Sequence, residues 1–279
     1  MQQVFTSLTS DHLRPHLPEL GGSVIILQRN ASVLDGHIET NDAKQANELA
    51  KMRAIELLES LEPDDRSSID FLVIGSDPRL GVDNEAHPES LATLETAKEV
   101  LSGIHEAMQS LDIKDAQLIN TTAVPKGGVV EISEIKSWLP INDSLELIGF
   151  LQKKSAQTGE ELSWLYETDA YKEEREKLGV EGAKSIALRL QHFLSSSKGS
   201  TNYHAAHPGR RLVFWMVTRF DTITPYLREI LAHPAECSAV IPVEHLGGIL
   251  INITPDRAVR VIVGDKEYAT NLSYQIVTG

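Results

Sequence analysis

Cysteine is almost missing from this chain of 279 residues: Cys237 is the only one. A single cysteine excludes an internal disulfide and fits a reducing compartment. Cys237 follows Pro234-Ala235-Glu236 with no activating partner beside it, so it reads as a structural thiol. Positive charge is also scarce. Lys and Arg total 26 against 40 Asp and Glu, a net charge of −14. Wrapping a phosphate backbone needs a basic footprint, so no nucleic-acid partner is expected. A locally positive cleft still attracts a small anion whatever the net charge. Long apolar runs are absent as well: none approaches the ~18 residues of a membrane span, and no membrane partner is expected. The opening Met1-Gln2-Gln3-Val4-Phe5 lacks the basic and then apolar regions of a signal peptide. The cytoplasm is therefore the expected compartment.

Hydrophobic residues make up 41% of the chain, enough to bury a sizeable core without metal or disulfides. Short β-branched runs mark buried strands at Val24 to Leu27, Phe71 to Ile74, Ala116 to Ile119 and Arg211 to Val217. Extended segments are expected again at Ser238 to Val243, Gly248 to Ile253 and Val259 to Val263. Helical spacing of apolar residues predicts helices from Asn41 or Asp42 to about Leu61, and from about Glu89 to Leu111. Residues from about 130 to 200 are charged and read as a helical insertion. Thr222-Ile223-Thr224-Pro225 opens a further helix. Strands that are apolar through their length and alternate with helices imply an α/β fold. Its mainly parallel sheet is covered on both faces, as a three-layer sandwich in one domain spanning 1–279. Ligands of such sheets sit at the carboxyl ends of the strands. The residues to read for function are therefore Gln28-Arg29-Asn30, Ser76-Asp77-Pro78-Arg79 and Thr218-Arg219-Phe220-Asp221.

These segments resemble the histidine phosphatase (phosphoglycerate mutase-like) superfamily. In that family a first strand leads into Arg-His-Gly, and here Val24 to Leu27 leads into Arg29-Asn30-Ala31. The family's second strand ends in a serine-containing loop before an Arg-Ala-x-x-Thr-Ala helix start. Here Ser76 follows Gly75, and the helix reads Ala92-Thr93-Leu94-Glu95-Thr96-Ala97. A later strand ends in Thr-His-Gly, and here Val213 to Val217 leads into Thr218-Arg219-Phe220. The departures decide the chemistry. Asn30 stands where the resemblance implies the phosphorylated histidine, and an amide accepts no phosphoryl group. Arg219 stands at the second histidine and, as a permanent cation, transfers no proton. Ala92 replaces an expected arginine. Arg29 remains, and Arg79 is placed to replace the lost guanidinium.

The resemblance thus implies a pseudo-phosphatase. Arg29, Asn30, Ser76, Arg79 and Arg219 would bind a phosphorylated or other anionic small molecule, or the old site would hold a protein partner. Each charge-assisted bond from a guanidinium contributes roughly 1.5–3 kcal/mol. Neither cofactor nor metal is expected. His204-x-x-His207 sits in a Gly- and Pro-flanked stretch that reads as a loop, with no carboxylate or cysteine at ligand spacing. Two alternatives stay open. In one, a repurposed enzyme holds an anion with its arginines while Glu131, Asp221 or His245 performs acid–base work; Glu134 is a second candidate beside Glu131. In the other, the chain is a scaffold or homo-oligomer whose charged helical middle is the binding surface.

Overall fold

The computed structural model describes residues 17–34, 37–75, 88–113, 118–120, 141–159, 171–178, 187, 190, 203–219, 222–224, 226–227, 243–255, 259–263 and 266–268. Ser76, Arg79, Glu131, Glu134, Asp221 and Cys237, and the expected extended segment from Ser238, lie outside them.

The chain forms an α/β structure around a seven-stranded mixed sheet. Its strands are β1 (Ser23–Arg29), β4 (Ile69–Ile74), β5 (Leu118–Asn120), β6 (Arg211–Thr218), β7 (Gly248–Ile253), β8 (Val259–Val263) and β9 (Lys266–Tyr268). A separate small hairpin pairs β2 (Val33–Leu34) with β3 (His37–Ile38). The order across the large sheet is β5-β4-β6-β1-β7-β8-β9. The first four strands run parallel, and β7, β8 and β9 are each antiparallel to the neighbour before them. The polar stretch after Arg29 reads as loop in the sequence, yet it contains the β2–β3 hairpin. Two-residue strands carry too little periodicity to be seen. The edge strand β9 (Lys-Glu-Tyr) was invisible for the same reason.

Alternation along the strands divides the core into two. Val24 and Ile26 of β1, with Val213, Trp215 and Val217 of β6, face one side. Ile25 and Leu27, with Leu212 and Met216, face the other. The first side is covered by α1 (Thr40–Glu59) and α2 (Pro88–Ser110). In α1 the buried residues Ala46, Ala50, Ala54 and Leu58 recur every four positions, and Arg53 and Leu57 lie beside them. Small residues let α1 and α2 approach closely. A Cβ on Gly103 would lie 2.2 Å from the Asn47 carbonyl oxygen, so only glycine fits there. Polar bonds tie the outer edge of the pair: Glu106 accepts from Asn47 Nδ2 at 3.2 Å and from Lys51 Nζ at 3.1 Å. On the other side Leu190, Tyr203, Ile223, Tyr226 and Leu227 pack against the sheet. Each fully buried large apolar side chain contributes roughly 1.5–3 kcal/mol.

Two further helices are α3 (Ile141–Thr158) and α4 (Lys172–Lys177), both within the stretch read as a helical insertion. Lys154 of α3 pairs with Glu174 of α4 at 2.7 Å, and its ammonium lies 4.9 Å from the Tyr171 ring centre. His204 lies in one helical turn, residues 203–206, where the flanking residues suggested a loop, and His207 follows in a bend. That turn stacks His207 on Tyr203, with ring centres 4.7 Å apart. His204 Nε2 lies 2.9 Å from Ser23 Oγ. Among the described residues no group of three His, Cys, Asp or Glu is placed to hold a metal ion, and no helix is long and apolar enough to cross a membrane.

Candidate functional site

Parallel pairing of β1 with β6 sets Arg29 opposite Thr218, so the segments after both strands leave the sheet side by side. The Asn30 amide donates to the Thr218 carbonyl at 2.8 Å, carrying the pairing one residue past β1. Side chains from both helices then hold the β1 loop. Ala31 N donates to Thr96 Oγ1 of α2 at 3.1 Å, and Ser32 N donates to Asp42 Oδ2 of α1 at 3.2 Å. Thr96 belongs to the helix-start stretch singled out in the sequence, and its part here is to anchor a backbone amide. Ala92, in the same stretch, is fully buried.

A turn at residues 243–247, just before β7, closes over the end of β1. Arg29 N donates to the Gly247 carbonyl at 2.8 Å, and Gly247 N donates to the Glu244 carbonyl at 3.0 Å. Leu246 takes a left-handed conformation with φ of +61°, which is strained for a branched side chain. Burial of its side chain beside Ala31 and Ala46 holds it there. Gly248 then makes the entry to β7 possible. A Cβ at this position would fall 2.0 Å from the Leu27 carbonyl oxygen.

Within this frame Arg29 is the last residue of β1. Its Nη1 donates to the Val243 carbonyl, and its Nη2 lies 3.1 Å from His245 Nε2. His245 Nδ1 lies 3.0 Å from the Asn30 carbonyl oxygen. Asn30 is buried, and its Nδ2 donates to the Ala31 carbonyl at 2.8 Å. Its amide therefore secures the loop. Arg219, just after β6, is 6% exposed, and its carbonyl accepts from Thr222 N at 3.1 Å and Ile223 N at 3.3 Å. The structure thus brings together four of the residues picked from the sequence: Arg29, Asn30, Arg219 and His245.

Three residues behind this cluster carry a polar system of which the sequence pointed only to Gln28, as part of a strand end. Gln28 is fully buried, and its Oε1 accepts from Arg53 Nη1 at 3.2 Å and Trp215 Nε1 at 2.9 Å. Arg53 Nη2 reaches the Leu246 carbonyl at 3.5 Å, linking α1 to the turn. Burial pushes the Arg53 guanidinium down to about 10, with nearby Glu56 opposing the fall. A signal existed in the sequence: Arg53 falls three residues after Ala50 and four before Leu57, on the apolar stripe of its helix. Gln28 likewise ends an apolar strand in phase with Val24 and Ile26.

Two arginine residues, Arg29 and Arg219, stand at adjacent strand ends, and a third, Arg53, lies buried behind them. An amide such as that of Asn30 is no nucleophile, and His245, the histidine of this cluster among the described residues, has its Nε2 against the Arg29 guanidinium. Compared with protein-family models, curated proteins and solved structures, the chain matches none.

Proposed function

We propose that this protein binds a small phosphorylated or carboxylate anion at the ends of β1 and β6 and does not turn it over through a phosphohistidine. The observation that carries this reading is the pairing that sets Arg29 opposite Thr218, one residue from Arg219. Two arginine residues thereby share one edge of a parallel sheet, and ligands of such folds sit at that edge. On this reading the architecture is a three-layer, phosphoglycerate mutase-like sandwich and the protein a degenerate histidine phosphatase. Helices against one sheet face, and Leu190, Tyr203, Ile223 and Tyr226 against the other, support it. The single cysteine supports a reducing, cytoplasmic setting.

The test is calorimetric titration with inorganic phosphate and sulfate, alongside release of phosphate from an aryl phosphate. Saturable anion binding is expected, weakened at least tenfold by Arg29→Gln or Arg219→Gln, with no turnover. Robust hydrolysis abolished by changing Asn30 or Arg219 would overturn the reading. Restoring the family's histidines as Asn30→His with Arg219→His is the informative gain-of-activity variant. Ala92→Arg is best left out of it, because Ala92 has no exposed surface and a guanidinium there would be forced into the core.

A further inference from the structure

The helical turn at residues 203–206 is held to the sheet by side chains at Tyr203 and His204. The Tyr203 hydroxyl donates to the buried Asp70 carboxylate of β4, and His204 Nε2 lies 2.9 Å from Ser23 Oγ at the start of β1. The hold at His204 depends on its protonation. The imidazole is half-buried and edge-on to the Tyr203 ring, with ring centres 5.2 Å apart. Its Nδ1 is buried and has no hydrogen-bond partner among the described residues. A neutral imidazole fits this place, because Nε2 bonds the hydroxyl and Nδ1 keeps a bare lone pair. An imidazolium carries hydrogen on both nitrogens, whichever way the Ser23 hydroxyl points. It would bury a charge and a donor that has no acceptor, and each of these costs free energy.

We propose that His204 is an acid-released clasp: neutral, it holds the 203–206 turn on the start of β1, and once it takes a proton from solvent it lets the turn go. Release brings Nδ1 into water, where the new N–H finds an acceptor. It also lifts Tyr203, 3% exposed in the closed state, out of the core and uncovers the Asp70 carboxylate. The titratable and charged groups about the turn, among the described residues, come from each element beside it. They are Tyr203 and His207 on the turn itself, Glu19 ahead of β1, Asp70 of β4, and Arg210 and Arg211 at the entry to β6. β1 and its neighbour β7 place Ser23 and Ile253 there, neither of them charged. Burial, and then the charge of His207, holds the His204 imidazole below its ordinary value. The clasp sits at the opposite end of β1 from Arg29, so it stands or falls apart from the anion-binding reading.

Because the folded value lies below the unfolded one of about 6.5, the hold is complete above that pH and weakens as pH falls from there toward the folded value. The reporter is the His207 amide, which donates to the Tyr203 carbonyl at 2.8 Å. Its protection, taken relative to the intrinsic exchange rate at each pH, should fall by up to about tenfold per pH unit in that window. The Ser60 amide, which donates to the Glu56 carbonyl at the end of α1, should keep its protection over the same range. In His204→Gln the side chain can still donate to Ser23 but takes no proton, and the fall at His207 should vanish. Nitrogen NMR of the imidazoles should place the His204 midpoint below about 6.5 in the wild type and raise it in His207→Gln, where the opposing charge is gone. A His204 midpoint at or above about 6.5, protection at the His207 amide that is flat with pH, or a fall retained in His204→Gln overturns the clasp. An equal fall at Ser60 also overturns it, by showing that acid opens the whole fold. Should His204→Gln fail to fold, the wild-type titration and the two amides decide the matter.

Discussion

Gln28 and Arg53 share a buried hydrogen bond of 3.2 Å, amide oxygen to guanidinium, one residue behind Arg29 in the strand. The same oxygen serves Trp215, while Gln28 Nε2 has no partner among the described residues. A fully buried amide is thus committed to two donors on one atom. Removing it as Gln28→Leu strands an indole and part of a guanidinium. It should cost about 2–4 kcal/mol, read from urea unfolding.

The companion substitution tests whether Arg53 itself is costly. Its fall to about 10 corresponds to roughly 3 kcal/mol of disfavoured charge. Because the folded-state value is below the unfolded one, that cost is present throughout the range below about 10 and is relieved only above it. Gln28→Leu combined with Arg53→Met should therefore be less destabilised than the sum of the single variants, with a coupling of about 1–3 kcal/mol. Strict additivity would show that the two do not act as a unit.

At the other end of the strands a second buried charge is fully enclosed. Asp70 of β4 is wholly buried, and both its oxygens accept from Arg210, with the Tyr203 hydroxyl adding a further bond. Arg210→Met leaves that carboxylate without its counter-charge and should cost about 3–5 kcal/mol. Burial, and then the bond to Asp70, pushes the Tyr203 hydroxyl above its ordinary value. The raised value means that the fold prefers neutral Tyr203. Its contribution is complete below the unfolded value of about 10 and is lost as pH rises toward the folded value. Urea midpoints measured from about pH 8 to 11 should fall in the wild type, and the fall should be shallower in Tyr203→Phe.

The contrast between these two clusters shows what the sequence made legible. The parallel core strands were readable because Val24 to Leu27 and Arg211 to Val217 are apolar on both faces, and the α1 and α2 stripes because their alanines and leucines repeat every three to four residues. Arg29, Asn30 and Arg219 were readable because residues just past buried strands must lie at one edge of the sheet. The turn that contacts Arg29 was not, since its positioning depends on a left-handed Leu246 and a glycine against the Leu27 carbonyl, which arise from tertiary packing. Arg53 was hidden differently: a polar residue on an apolar stripe is read as surface until its partners from other elements are known.

Gly248 offers a direct steric test of how the turn joins the sheet. Gly248→Ala would place its Cβ 2.0 Å from the Leu27 carbonyl oxygen and 3.0 Å from Gln28 Cα. Backbone cannot step aside as a flexible side chain does. The substitution should cost about 3 kcal/mol in urea unfolding, and Gly103→Ala, against the Asn47 carbonyl of α1, a comparable amount. Tolerance of Gly248→Ala would show that β7 does not enter the sheet in this register.

A carboxylate of α2 bonds the hairpin after the Arg29-Asn30-Ala31 loop. Glu95 of α2 accepts from His37 Nδ1 and from the Ile38 amide, each at 3.0 Å. Burial alone would raise its carboxyl, but the bonds from Ile38 and His37, aided by Lys98, outweigh it and hold the group below the usual carboxylate range. A depressed value gives stability that is present above the unfolded value of about 4.3 and is lost as pH falls through the folded value. Glu95→Gln keeps the shape and one acceptor while deleting the charge. Because the pair is partly exposed, water screens it and the expected loss is small, about 1 kcal/mol. The sharper readout is local. Protection of the Ile38 amide, taken relative to its intrinsic exchange rate at each pH, should fall in Glu95→Gln at neutral pH and in the wild type on acidification, with the Gln variant's protection insensitive to that change. Equal acid sensitivity in both proteins would assign the hairpin's hold to some other group.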